Sequence, residues 1–248
     1  MADEDQIFGI HAVDEAVRAG EPLRRIIIGK HRERDPKLAG LIAAARKRNI
    51  PIAFEYSADM RSPSTHQHVR AVLPPFAFTP WENVRSLVRA ANRTLVVVID
   101  HLEDPQNLGA VLRNAEGAGA DAVVMPDRRN AGITGVTRKA AAGAISHLKI
   151  ARVPNIAAAI GALKDDGCWV TGLSLAPGAL DYHRADYTAK CALVVGAEGK
   201  GLSRLVSERC DALVHIPLHG KIASLNAASA AALVLFEAVK GRLSSRLV

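Results

Sequence analysis

Aromatic side chains are scarce in this sequence, at 4% of 248 residues, and only three cysteines occur. A core with few rings must be assembled from Ala, Val, Leu and Ile, and the 49% apolar content is enough to build one. Cys168, Cys191 and Cys210 are too few and too far apart for a disulfide framework, and no metal-ligand spacing joins them. They read as small buried hydrophobes in a reducing compartment. No apolar run is long enough to span a bilayer. The opening MADEDQIFG is acidic where a signal peptide needs a basic and then an apolar region. A cytoplasmic protein with no membrane partner is expected.

Several cofactor and catalytic signatures are also missing. No HExxH or GxSxG occurs, which removes the commonest metalloprotease and serine-hydrolase patterns. No strand is followed by GxGxxG with an acid some twenty residues on. Gly199–Lys200 invites a phosphate-loop reading, but Val194 and Gly201 stand where a glycine and a Ser or Thr are required. His66 and His68 are two apart with no further ligand nearby, so no metal is expected.

What the sequence does have is basic charge, +7 net with a pI near 9.6. Nine basic residues fall between Arg24 and Arg48, including Arg24, Arg25, Lys30 and Arg32, against only Glu33 and Asp35. Such a concentration suits contacts to a phosphate backbone, and those four residues are the candidate contacts to such a polyanion.

The chain divides by pattern. Helical and strand signals alternate first: a helix over His11 to Ala19, strands at Arg25 to Ile28, Ile50 to Glu55 and Val69 to Leu73, and a helix over Pro36 to Arg48. Residues 1–73 therefore form a small α/β domain. The proline-rich LPPFAFTPW follows, and 74–92 reads as a linker. Residues 93–248 alternate strands with helices and end in a long helix near Leu225 to Leu243, as expected for a mainly parallel sheet covered by helices.

Three loops in this second part follow apolar runs and are rich in polar residues and glycine. They are DHLEDPQNLGAVLRNAEGAGA from Asp100, VVGAEGKGLS from Val194 and HIPLHGKIASLNAAS from His215. Ligands bind at the carboxyl ends of strands in open α/β sheets, so these loops are the natural site. Read singly, their residues have plainer explanations. Arg113 fits a solvated helix face, Glu198 a cap for the next helix, and Asn226 a cap for the last one.

Together the loops resemble the SPOUT superfamily of methyltransferases, in its SpoU/TrmH group. Asp104–Pro105–Gln106–Asn107–Leu108–Gly109 with Arg113 resembles the first motif of that group, and Val195–Gly196–Ala197–Glu198–Gly199 the second. Ile216–Pro217–Leu218 with Ser224–Leu225–Asn226 resembles the third. Gly9–Ile10–His11–Ala12–Val13 resembles the opening of a subgroup with an added N-terminal RNA-binding domain. That subgroup includes the bacterial large-subunit (23S) ribosomal RNA guanosine-2′-O-methyltransferases. His66–Gln67 matches its usual domain ending, although His68 stands where a glycine normally follows.

The resemblance implies an α/β fold: a C-terminal parallel-sheet catalytic domain tied in a deep trefoil knot, preceded by a small α/β RNA-binding domain. It implies S-adenosylmethionine as cofactor, lined by Gly196, Ile216, Leu218 and Leu225. The missing Cβ of Gly196 is expected to let the backbone approach that ligand. It implies transfer of methyl to a ribose 2′-hydroxyl of RNA, a guanosine in 23S rRNA, with a tRNA ribose or a non-catalytic RNA-binding role as alternatives. Arg113 would activate the hydroxyl electrostatically, positioned by Asn107, Glu198, Ser224 and Asn226. A homodimer is expected through the last helix, on an apolar face of Leu225, Ala228, Ala231, Ala232, Leu235, Phe236 and Val239.

Overall fold

The structure is a computed structural model that describes residues 6–56, 68–187 and 189–244. His66–Gln67 lies outside the described residues. The chain separates into two units, residues 1–77 and 78–248.

The first unit contains β1 (Gln6–Phe8), α1 (Ile10–Ala19), β2 (Arg25–Gly29), α2 (Ala39–Lys47), β3 (Ile52–Glu55) and β4 (Val69–Val72). The strands are ordered β1-β4-β2-β3, with β2 and β3 parallel and β4 antiparallel to both its neighbours. Ile26, Ile27 and Ile28 are buried in β2, and α1 and α2 cover one face with Val13, Val17, Leu41 and Ala45. Gly20 ends α1 at φ 85, a left-handed turn that glycine adopts without a Cβ penalty.

This order divides the basic segment. Lys30, Arg32, Arg34 and Lys37 follow β2 and lie beyond its carboxyl end, through two 3₁₀ turns at Lys30–Arg32 and Pro36–Leu38. Helix α2 then runs back, so Arg46, Lys47 and Arg48 return to the amino end with Arg24 and Arg25. There the Arg48 guanidinium donates to the Val17 carbonyl. One basic run in sequence thus becomes two groups at opposite ends of a strand.

The second unit begins with α3 (Trp81–Ala90). Its residues fall within the expected linker, yet Val84 and Val88 are fully buried in the same core as the sheet that follows. Only the stretch up to Pro80 is extended, because Pro80 stands before the first turn and the apolar residues beyond it have helical spacing. Next come β5 (Leu95–Asp100), α4 (Pro105–Gly117), β6 (Ala122–Pro126), α5 (Gly135–Ala141), β7 (Ile150–Val153) and α6 (Ile156–Asp165). They are followed by β8 (Trp169–Leu173), β9 (Leu180–Asp181), β10 (Cys191–Gly196), α7 (Arg204–Arg209), β11 (Ala212–His215) and α8 (Ala227–Ser244).

The sheet order is β7-β6-β5-β10-β8-β11-β9, with every pairing parallel. Strands β5 and β10 lie at its centre and every residue of both is buried, as their unbroken apolar runs require. Away from the loops, the Asp166 carboxylate is clamped by Arg85 (2.7 and 3.1 Å) and Arg89 (3.2 Å), which fastens α3 to the turn before β8. Burial alone would raise the pKa of Asp166, but its bonds and charges with the two arginines outweigh that and hold it below the ordinary value. Among the described residues, no helix is long and apolar enough to cross a membrane.

Helix α8 places its apolar residues differently from the expectation. Ala228, Ala231 and Leu235 are buried within their own chain, with Val234 and Ala238. Of the expected face, Leu225 precedes the helix, Ala232 and Val239 are half-buried and Phe236 is 50% exposed, and Leu233, outside that face, is 43% exposed. A helix this rich in apolar residues covers its own sheet first, and only the remainder can meet a partner.

Candidate active site

Strands β5, β8, β10 and β11 end at the same edge of the second sheet, and the loops that follow them carry the candidate residues. The first loop is held at its root by Asp100, which is 1% exposed and accepts from the Ser203 N–H at 2.7 Å and meets His101 Nδ1 at 2.6 Å. Asp104 caps α4, accepting from the N–H groups of Gln106 (3.0 Å) and Asn107 (3.3 Å), and Pro105 occupies the first turn. Gly109 lets α4 and α5 approach: a Cβ there would lie 2.5 Å from Thr137 O and Ala140 Cβ. That cap and that close approach fix the helix from which Asn107 projects.

Asn107 is the hub. It is 9% exposed, donates from Nδ2 to Glu198 Oε2 at 2.8 Å and accepts at Oδ1 from Asn226 Nδ2 at 2.7 Å. Asn226 in turn caps α8, accepting from the N–H groups of Ala228 (2.9 Å) and Ser229 (3.3 Å). Its capping role and its link to Asn107 therefore coexist, one through Oδ1 and the other through Nδ2. Glu198 does not cap α7; its carboxylate crosses to α4 instead. One residue from each of the three loops is thus joined in a single hydrogen-bonded chain.

The second loop is closed by its own backbone. Ala197 and Gly201 pair with N···O distances of 3.1 and 2.8 Å, and Gly199 and Gly201 take φ of 75 and 66. A Cβ on Gly196 would lie 2.4 Å from the Gly201 carbonyl. The space left by Gly196 is therefore filled by the chain itself, so a glycine is required there by the close approach of the Gly201 backbone.

A cavity of about 420 Å³ opens beside these loops. Gly196, Glu198, Ile216, Leu218, Ser224 and Leu225 line it, so all four candidate cofactor residues face one space. A fourth segment, Leu173–Ala176 after β8, was not singled out from sequence and also lines it. Its signal was the Pro177–Gly178 pair following a buried run. The volume lies within the range of small-molecule pockets, and the wall mixes aliphatic side chains with the polar groups of Ser174, Glu198, Lys200, His215 and Ser224, as such pockets do.

Arg113 stands apart. Six residues beyond Asn107, it is turned by about 120° around α4 and displaced by about 9 Å along it. It is exposed, and among the described residues it makes no hydrogen bond or ion pair with Asn107, Glu198, Ser224 or Asn226. Asn107, Glu198 and Asn226 bond one another instead, and Ser224 faces the cavity. Of the candidate RNA contacts, Arg24 and Arg25 are exposed, while Lys30 is paired with Glu33 at 2.6 Å and Arg32 with Asp35. Burial pushes the thiols of Cys168 and Cys210 up to about 11 and about 12, which keeps them protonated and unreactive. Among the described residues no group of His, Cys, Asp or Glu could hold a metal ion.

Residues 94–236 match the SpoU rRNA Methylase family, and residues 6–78 match a family described as RNA 2′-O ribose methyltransferase substrate binding. A TrmH family tRNA/rRNA methyltransferase of Staphylococcus aureus is 35% identical over 243 residues, 97% of each chain. The SpoU methyltransferase AviRb from Streptomyces viridochromogenes superposes with a TM-score of 0.69 at 25% identity, over 100% of this chain and 93% of that one. The same enzyme in complex with AdoMet superposes with a TM-score of 0.66 at 26% identity, over 96% and 90%.

Proposed function

Since the chain belongs to the SpoU methylase family and is an S-adenosylmethionine-dependent RNA methyltransferase, we propose that it methylates a ribose 2′-oxygen, and that its substrate is 23S ribosomal RNA, at a guanosine. The observation that carries the reading is the Glu198–Asn107–Asn226 chain beside the cavity, which joins all three loops of the resemblance. The match of the first unit to a ribose-methyltransferase substrate-binding family supports the 2′-oxygen. The presence of that added unit favours ribosomal RNA over tRNA.

The cofactor would rest against Gly196, Ile216, Leu218 and Leu225, and when bound it supplies a methyl carbon on a good leaving group. What remains for the chain is alignment and stabilisation of charge at the hydroxyl. The closed 197–201 loop and the Asn107 chain hold the cavity wall rigid. Ser224 faces the cavity and can hydrogen-bond a ribose. Arg113 is a poor base, since an arginine pKa exceeds about 12, but an exposed guanidinium can stabilise the developing oxyanion or act through the adjacent phosphate. The trefoil knot and a cytoplasmic location belong to the same proposal. So does a homodimer through Leu233 and Phe236 of α8, which would bury roughly 2,000 Å² or more and sediment as a dimer at low micromolar concentration.

The decisive test is purified protein with labelled S-adenosylmethionine and ribosomal or transfer RNA. Label recovered in alkali-resistant dinucleotides of 23S rRNA is expected. Label in alkali-labile mononucleotides would place the methyl on a base and overturn the reading, and label only in tRNA would overturn the substrate.

A further inference from the structure

The carboxyl end of the first sheet carries an aromatic and basic cluster outside the site described above. In the β2–β3 register Gly29 pairs with Glu55, so Lys30 and Tyr56 leave adjacent parallel strands side by side. From the other side of β2, the Gly29 N–H donates to the His68 carbonyl at 2.8 Å. The His31 and His68 rings then meet edge to face with centroids 4.6 Å apart. A Cβ on Gly29 would lie 2.9 Å from the His31 ring and 3.1 Å from His68 Cβ, so glycine is what lets the imidazoles close over the strand end. Lys30 Nζ sits 5.7 Å from the centre of the Phe54 ring. The ammonium is held above its usual pKa first by its hydrogen bond to Glu33, with a further contribution from the Tyr56 phenol, which lies within electrostatic reach.

Two features of this cluster are costly to the fold. Tyr56 is 88% exposed, whereas Tyr187 is buried with its hydroxyl donating to the Tyr182 carbonyl. A tyrosine normally buries the apolar body of its ring, and among the described residues this one packs its ring against little. His68 takes φ 55, a left-handed conformation that strains a residue with a Cβ, and it does so where the resembling subgroup normally has glycine. Strain kept at one position points to a use for that side chain.

We propose that Tyr56, with the His31–His68 pair, forms a stacking site for one unpaired base of the RNA substrate at the carboxyl end of the β2–β3 pair. This rests on the chain acting on RNA. Every nucleobase presents a π-face, but in a duplex that face is covered by its neighbours, so the site takes a loop, a bulge or a single-stranded segment. Arg34 and Lys37, exposed beyond the same strand end, supply charge for the adjoining phosphates.

The test uses the full chain with two probes of equal length, an unstructured oligoadenylate and an RNA duplex. Tyr56→Ala should weaken oligoadenylate binding roughly tenfold, and Tyr56→Phe should preserve it, since the ring and not the hydroxyl stacks. Duplex affinity and the salt slope should stay at wild-type values in both variants. His68→Gly should weaken oligoadenylate binding while leaving the Tm equal or higher, because it relieves strain; that variant separates loss of stacking from loss of fold. Wild-type oligoadenylate affinity in Tyr56→Ala, or an equal loss on duplex, overturns the proposal. Stacking intact in a protein that places its methyl on a base would overturn the ribose reading alone.

Discussion

The two parallel strand edges are finished in opposite ways. At the carboxyl edge of the second sheet the loops satisfy one another: Asp100 holds Ser203, Glu198 holds Asn107, Asn107 holds Asn226, and the 197–201 loop pairs with itself. At the carboxyl end of β2 and β3 several side chains are left open: Tyr56 is almost wholly exposed, and Arg34 and Lys37 face water. The closed edge suits a small ligand of fixed shape, since a preorganised wall adds little ordering cost on binding. The open edge suits a polymer, whose contacts are many, weak and set by charge. Arg113 differs from the bridged residues on the catalytic side, an exposed cation on the helix whose Asn107 and Asn114 side chains are both engaged.

Removing that cation should have the largest effect. Arg113→Ala is expected to lower kcat by about 100- to 1,000-fold, the usual cost of removing one donor to a developing oxyanion, with S-adenosylmethionine affinity unchanged. Single-turnover rates and calorimetry separate the two quantities. A wild-type rate would remove Arg113 from the chemistry. Gly196→Val comes next. Its Cβ must enter space held by the Gly201 backbone, so the loop opens and cofactor affinity falls roughly 10- to 100-fold. Unchanged affinity would show that the loop can close without that approach.

Asn107→Ala sharpens the comparison, because it leaves Glu198 and the Asn226 amide without their partner while the α8 cap survives. Glu198 and Asn226 are exposed and can turn to water, so the loss is that of the bonds themselves, about 0.5–1.5 kcal/mol each, and kcat/KM should fall by roughly three- to tenfold. A double-mutant cycle with Glu198→Gln should show strong coupling; additive effects would mean the bridge is incidental.

Asp166 is the control within the same unit, since it precedes β8 at the opposite edge. Asp166→Asn should lower the Tm by roughly 4–8 °C at pH 7, from about 2 kcal/mol of charged hydrogen bonding, with turnover intact. The pH dependence has a defined sign. The folded-state pKa is lowered, so this stability is present above the ordinary carboxylate value near 4 and is lost as pH falls through the folded value. The Tm difference between wild type and variant should therefore shrink in acid. A difference that persists there would assign the loss to packing.

The contrast between the edges also explains what could be read in advance. Buried strands such as Leu95–Asp100 and Cys191–Gly196 were legible because a strand covered on both faces has no polar interruption. Helix α3 was missed because three nearby prolines made the whole stretch look extended, and Pro80 in fact stands just before its first turn. The three loops could be named from their residues, but not the Asn107 bridge, since Asn107, Glu198 and Asn226 are 91 and 119 residues apart in their pairings. At Gly196 the missing Cβ told that something approaches, but not that the Gly201 backbone does. Helix α8 showed its apolar content plainly, but its inward and outward faces depended on how the sheet met it.

The smallest expected effect concerns charge on the first unit. The basic run from Arg24 to Arg48 is divided by β2 and α2 between two ends of the sheet, so a single charge count overstates any one surface. At the carboxyl end Lys30 and Arg32 are engaged by Glu33 and Asp35, which leaves Arg34 and Lys37 as the exposed pair. At the amino end Arg46 and Lys47 are the matching exposed pair on α2. Removing one cation that neutralises a phosphate should flatten the slope of log affinity against log salt by about 0.7 for a single strand, so Arg34→Ser with Lys37→Ser should flatten it by about 1.4. Arg46→Ser with Lys47→Ser removes equal charge and should leave the slope unchanged if RNA lies along the carboxyl end. Both double variants remove only exposed side chains, so equal melting temperatures are expected. The reverse pattern would move the RNA to the amino end and detach it from Tyr56. Equal flattening in both would show that long-range charge alone sets the affinity.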